Sequence, residues 1–371
     1  MKRHHPLLVA IFVVVLMTCW VSDAAAIGRR FRGCIKRLNR SLCGHVVDHT
    51  NNHGRDCRIW SAALQQKRDL YVYLPPHFDP HQQYPIMLWL HSFGADESQF
   101  LQEAITSVDR AMACGQLPPT IIAIPDGTKA GRGGFTDQHS GFLNTRLGRY
   151  GDYLLCDVWK FVNNHYPIRP ERKAHVLGGV SLGGGAAYHH GIKHRDRFGI
   201  VLGIYPPLNT RWIDCRGKYF GNFRPDCACW RTNIDCVFEP LGIYAGIFPI
   251  TVRQLITPLY GRGGCAIAGM ARDNPVEIMI RTQLKPGELS MFVAYGGRDE
   301  FNLDAQIESF LYHAHNQGIQ PTVSYSPRGR HNLRTAKSFF PEAIQWLAPQ
   351  LAPYAPGKCA GPVVIGSPVN D

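Results

Sequence analysis

The chain has 371 residues, 45% of them hydrophobic and 18% charged, with a formal net charge of +12. That make-up suits one large α/β domain or two small ones and excludes a disordered or collagen-like chain. The basic surplus carries no aromatic-spaced repeat, zinc-finger spacing or recognition-helix signature, so nucleic acid is not an expected partner.

Residues 1–26 have the pattern of an export signal. Lys2 and Arg3 precede a nearly unbroken apolar run from Leu7 to Trp20, and Ala24-Ala25-Ala26 offers a small-residue cleavage site. The run is short for a membrane span, so a secreted or periplasmic protein is expected, with an uncleaved anchor or a lipid on Cys19 as the alternatives. Residues 27–58 read as a basic N-terminal extension. Six basic residues and no acid stand between Arg29 and Arg40, which fits a solvated tail or a weak contact with an anionic envelope surface. Of the twelve cysteines, eleven lie beyond the signal, which in an exported chain predicts disulfides and at least one thiol left over. Cys114 and Cys156 fall in helix-like stretches and are expected as buried thiols. The cysteines near 215–236 contain no Cys-x-x-Cys pair, and no metal is expected.

From residue 59 to 350 short β-type runs alternate with amphipathic stretches, which predicts a mostly parallel sheet flanked by helices. The strands are expected at 69–74, 85–90, 120–124, 174–180, 200–205, 289–295 and 322–326, and the helices near 97–112, 149–164, 182–194, 303–317 and 335–350. Residues 206–285 break this rhythm. They hold five cysteines and no clear period, and are expected to form a disulfide-braced, lid-like insertion that shapes a substrate pocket. The Pro- and Gly-rich residues 351–371 read as a poorly ordered tail.

Gly179-Val180-Ser181-Leu182-Gly183 joins an expected strand to a small-residue helix. Strand, Gly-x-Ser-x-Gly, helix is the context in which a serine hydroxyl is lifted out of a sheet on a tight turn. A serine needs a base to take its proton, and the base needs an acid to fix its tautomer. His331 follows the expected strand 322–326 and precedes the last long helix, so it lies at the same sheet edge as Ser181. Asp299 is the first acid after the strand 289–295 and is the expected third member, with its neighbour Glu300 as the alternative. His189, His190 and His194 run along the helix that leads away from Ser181 and read as packing or surface residues. An oxyanion hole needs two backbone N–H donors. Leu182, just after the serine, supplies one, and Phe93 in His91-Ser92-Phe93-Gly94 supplies the other. If the backbone at Ser92 requires positive φ, serine is strained there and the second donor shifts to Gly94 or the Ser92 hydroxyl.

With Tyr71-Val72-Tyr73-Leu74-Pro75-Pro76, Leu90-His91-Ser92-Phe93-Gly94, Gly141-Phe142-Leu143-Asn144, Arg149-Tyr150-Gly151-Asp152-Tyr153, Gly178 to Gly184, Gly296-Gly297-Arg298-Asp299 and His331, the chain resembles the esterase D / putative esterase family. That family includes feruloyl esterases, enterochelin esterases and the antigen 85 mycolyltransferases. The resemblance spans about 60–205 and 287–348. It implies an α/β-hydrolase fold, a serine esterase without a cofactor, Ser181, Asp299 and His331 in the catalytic roles, and a small-molecule or polysaccharide ester as substrate. Ser92 departs from the glycine common in the family. An acyltransferase using the same triad, and a binding protein on an inactive scaffold, are the competing expectations.

Overall fold

The computed structural model describes residues 35–134, 138–234, 236–244 and 247–357. The export segment 1–26, the basic residues Arg29, Arg30 and Arg32, and the tail from 358 lie outside the described residues.

Eight strands form one sheet: β1 (His45–His49), β2 (Leu70–Leu74), β3 (Ile86–Leu90), β4 (Ile121–Pro125), β5 (His175–Val180), β6 (Ile200–Ile204), β7 (Ser290–Gly296) and β8 (Thr322–Ser326). Their spatial order is β1-β2-β4-β3-β5-β6-β7-β8. The two outer pairings, β1 with β2 and β2 with β4, are antiparallel. The remaining five are parallel. Every residue of β3, β4, β5 and β6 is buried, as expected for strands covered on both faces, and this explains the unbroken apolar sequences of β3, β4 and β6.

The main helices are α1 (Ile105–Ala113), α2 (Trp159–His165), α3 (Leu182–Lys193), α4 (Gly263–Asp273), α5 (Pro275–Arg281), α6 (Leu303–Asn316) and α7 (Leu333–Leu351). Ten consecutive residues of α3, Gly183 to Ile192, are buried. A helix apolar all round is one packed on both sides, and α3 lies between the sheet and the insertion that follows β6.

The sheet begins earlier than the catalytic region expected from residue 59. Strand β1 pairs with the whole of β2, from His45 against Leu74 to His49 against Leu70. Just before it, the N–H groups of Cys43 and Gly44 donate to the two carboxylate oxygens of Asp109 on α1, at 2.9 and 2.7 Å. The fold also runs past the expected end at 350. The short 3-10 turn Ala352–Tyr354 is tied back by Arg169, whose guanidinium donates to the Tyr354 and Ala355 carbonyls.

Cys114 and Cys156 are exposed rather than buried, because each falls on the solvent side of its helical stretch. In the insertion 206–285, Cys215 and Cys227 form a disulfide. Among its described residues the insertion has two small antiparallel strand pairs, a 3-10 turn at Pro225–Cys227 and four α-helices of 4 to 11 residues. Tyr219, Ile234, Leu241, Val252, Ala266 and Met270 make a second apolar cluster there, separate from the main core.

Candidate active site

Ser181 occupies the turn between β5 and α3 at φ 52°, ψ −122°, a conformation costly for a residue with a Cβ and held only where the surroundings enforce it. The Ser181 N–H donates to the Ile204 carbonyl on β6 at 2.7 Å, and the Ser181 carbonyl accepts from the Gly185 N–H at 3.0 Å. The flanking glycines allow the turn. A Cβ on Gly179 would lie 2.5 Å from the Gly183 backbone, and one on Gly183 would collide with the Leu90 carbonyl of β3. Helix therefore crosses strand at a separation only glycine permits.

The loops after β7 and β8 are stitched together by backbone bonds from Gly297 N–H to the Ser326 carbonyl and from Arg298 N–H to the Gly329 carbonyl, at 3.0 and 2.9 Å. This sets His331 beside Asp299, with Nδ1 2.9 Å from Asp299 Oδ2. The Asp299 carboxylate is fully buried, and its other oxygen accepts the Phe301 N–H at 2.8 Å. Glu300 does something different. Its oxygens accept the His331 N–H at 2.8 Å and the Arg330 Nε–H at 2.5 Å, so it fixes the backbone of the histidine loop rather than the ring. The rings of Tyr205 and Phe301 pack against the imidazole with centroids 4.9 and 4.8 Å away. Burial works against protonation of His331, but the charge of Asp299, its hydrogen bond and the charge of Glu300 together raise the pKa above the ordinary imidazole value. With Nδ1–H committed to Asp299, Nε2 is the nitrogen left to accept a proton.

Ser181 and His331 line one cavity, together with Phe93 and Leu182. No hydrogen bond joins Ser181 to His331 among the described residues; such bonds tighten when substrate binds. Leu182 opens α3, where the first-turn N–H groups have no partner within the helix and the helix dipole favours negative charge. In the facing loop the positive φ falls on Gly94, at 81°, and not on Ser92, so serine is unstrained there. The Ser92 N–H donates to Gln99 Oε1 and its hydroxyl accepts from Gln99 Nε2, both at 2.9 Å. The Gly94 N–H donates to His139 Nε2 at 3.2 Å. The Ser92 hydroxyl, which accepts from Gln99, directs its own proton toward the Phe93 carbonyl at 3.5 Å. Below the loop, buried Arg68 pairs with Asp126. The next N–H, of Gly127, donates to His91 Nε2 at 2.8 Å, which leaves Nδ1–H of His91 to donate to the Ser92 carbonyl at 3.0 Å.

The expectation for the histidines of α3 holds in part. His189 and His190 are buried, their Nδ1 and Nε2 bonded to the Asp273 and Phe142 carbonyls. His189 also lines the cavity, which sequence reasoning did not foresee. Desolvation drives its pKa down to about 3, so it is a neutral wall residue. Gln99, which braces Ser92, is a further contributor that no motif announces, while Glu300, expected only as the alternative to Asp299, instead braces the backbone at His331.

Residues 61–332 match the family described as "Putative esterase". The chain belongs to that family. A ferulic acid esterase superposes with a TM-score of 0.57 at 19% identity, over 84% of this chain and 99% of the other. An S-formylglutathione hydrolase from Agrobacterium tumefaciens gives 0.57 at 15% identity, over 84% and 96%. The substrate-bound fluorophosphonate-binding serine hydrolase F of Staphylococcus aureus gives 0.54 at 15% identity, over 82% and 98%. At these identities the structures establish the shared α/β-hydrolase fold, and the family establishes a carboxylic-ester hydrolase.

Proposed function

We propose that this esterase works through an acyl-enzyme on Ser181. His331 takes the hydroxyl proton as the oxygen attacks the ester carbonyl. Asp299 holds the ring and balances the imidazolium. The N–H groups of Phe93 and Leu182 receive the oxyanion, and His331 returns its proton to the departing alcohol before water releases the acid. The observation that carries this reading is the strained Ser181 opening into the same cavity as the Asp299-bound His331. Residues 59–350, together with strand β1 and the turn Ala352–Tyr354, act as the catalytic unit, with 206–285 as its lid-like wall.

The protein is exported in this reading and acts on an external ester, with an acylated carbohydrate as the alcohol side. The export pattern of residues 1–26 and the Cys215–Cys227 disulfide support export. Among the described residues no helix is long and apolar enough to cross a membrane. The test is paired: Ser181→Ala should lose both p-nitrophenyl acetate hydrolysis and labelling by a fluorophosphonate probe. Full activity in that variant would remove Ser181 from the mechanism.

A further inference from the structure

The cavity in front of Ser181 has a volume of about 410 Å³. Its floor is one face of α3, presenting Ser181, Leu182, Gly185, Ala186 and His189 at helical spacing. Its roof comes from the insertion, where Ile234, Leu241, Val252, Leu255, Ile256 and Leu259 line it. These aliphatic side chains belong to the insertion's own apolar cluster or pack on it, apart from Leu259, which lies on the short helix Thr257–Tyr260.

Most polar groups of this space are already occupied, the buried Gln306 Oε1 being an exception among the described residues. Arg231 is held at both guanidinium nitrogens by Glu239, at 2.5 and 2.6 Å. Asp273 accepts from Arg272 at both oxygens, at 3.0 and 2.7 Å. The Tyr219 hydroxyl donates to the Phe301 carbonyl at 2.7 Å. His189 is neutral, with one nitrogen bonded to the Asp273 carbonyl. Glu103 also faces the cavity, where burial pushes its carboxyl above the ordinary value. On the insertion side the charged side chains Arg231 and Asp273 are matched to protein partners, and the roof over the α3 floor is mainly branched hydrocarbon.

We propose that this slot is the acyl subsite and that it takes a straight aliphatic acyl chain of medium length. Eight residues of helix separate Ser181 from His189, about 12 Å of floor, which is the reach of an extended chain of about eight to ten carbons. The inference rests on Ser181 as the acyl-accepting residue. In the reaction the Ser181 oxygen forms the new ester bond, the bond from the carbonyl carbon to the alcohol oxygen breaks, and the alcohol leaves with the proton His331 had taken. Water then gives free fatty acid and regenerated serine, so ester plus water becomes acid plus alcohol. The aliphatic chain stays under the insertion throughout, and the alcohol points out of the slot.

The experiment uses the full chain and p-nitrophenyl esters from acetyl to palmitoyl, with p-nitrophenyl ferulate alongside, so that the leaving group never changes. The ratio kcat/KM is expected to rise about fourfold per buried methylene up to about eight to ten carbons and then to fall. Ala186→Phe on the floor and Leu255→Trp on the roof should each lower the octanoyl-to-acetyl ratio of kcat/KM at least about tenfold. The two variants shorten the slot from opposite sides, so misfolding of one leaves the other as a test. A flat chain-length profile, or a preference for acetyl or feruloyl over octanoyl in the unaltered enzyme, overturns the acyl-chain assignment. If Ser181→Ala meanwhile abolishes hydrolysis of every ester, the nucleophile reading survives that failure; if it does not, the nucleophile reading falls as well.

Discussion

The two sides of the cavity are built on different principles. On the floor, each reacting group sits at the end of a parallel strand, and neighbouring strands hold it by main-chain bonds: Ser181 through Ile204, the histidine loop through Gly297 and Arg298. The roof has only a handful of apolar side chains, short helices and one disulfide. Strain is affordable on the floor because a large core enforces it. The roof packs a small, separate cluster, and the size of that cluster limits its independent stability. Chemistry should therefore be sensitive to single atoms on the floor, and selectivity to volume on the roof.

Removing the Ser181 hydroxyl with Ser181→Ala should cost about 10⁴- to 10⁶-fold in kcat. The melting temperature should stay the same or rise, since alanine removes no packing. A marked loss of melting temperature would mean that the hydroxyl also supports the turn. Asp299→Asn keeps the shape but presents an amide to His331 Nδ1 and disturbs the tautomer, which should cost about 10⁴-fold in kcat. Glu300→Gln should lose about tenfold or less, because Glu300 bonds the loop backbone and Arg330. Equal losses in the two variants would break the distinction between ring-holding and loop-holding acids.

Acidity reports on the same pair. The raised pKa of His331 means that the base is lost to protonation as pH falls through a value above the ordinary imidazole value of about 6.5. The acid limb of the kcat/KM profile should therefore lie above that value, and Asp299→Asn should move it down. An acid limb at or below the ordinary value would contradict the raised pKa. On the roof, Met270→Ala should cost about 2–5 kcal/mol of local stability. Limited proteolysis of 206–285 is the measurement, and cleavage there should precede global unfolding. The smallest effect is expected from Cys215→Ser, which opens a loop of sequence separation 12 and costs at most about 3 kcal/mol. It should change KM for long acyl esters more than kcat for acetyl ester.

Floor and roof also differ in how far the sequence disclosed them. The seven strands at 69–326 were legible because burial on both faces demands unbroken apolar runs such as Ile86-Met87-Leu88-Trp89-Leu90, and the glycines around Ser181 were legible because a crossing helix and strand leave no room for a Cβ. Strand β1 was not, since His45-Val46-Val47-Asp48-His49 is half polar and pairs on one side only, so its register depends on β2. The roof was opaque for a related reason: elements of three to eleven residues are too short to establish a period, and their partners are distant in sequence. Of the side chains that brace the site, Gln99 carries no signal of its own, and Glu300 was legible only as an alternative acid, not as the brace of the histidine loop. Their roles exist only once β3 and β8 have brought the loops together.

Strand β1 has a consequence for anyone shortening this chain. In the intact protein it occupies the main-chain hydrogen-bonding edge of β2. A version starting at residue 59 would expose Leu70-Tyr71-Val72-Tyr73-Leu74, an apolar and aromatic ribbon with open N–H and C=O groups and no charge to deter a second copy. Such a truncation would expose a self-pairing edge, and the product to expect is aggregate. The residues before the recognisable hydrolase motifs thus serve as a built-in solubility shield.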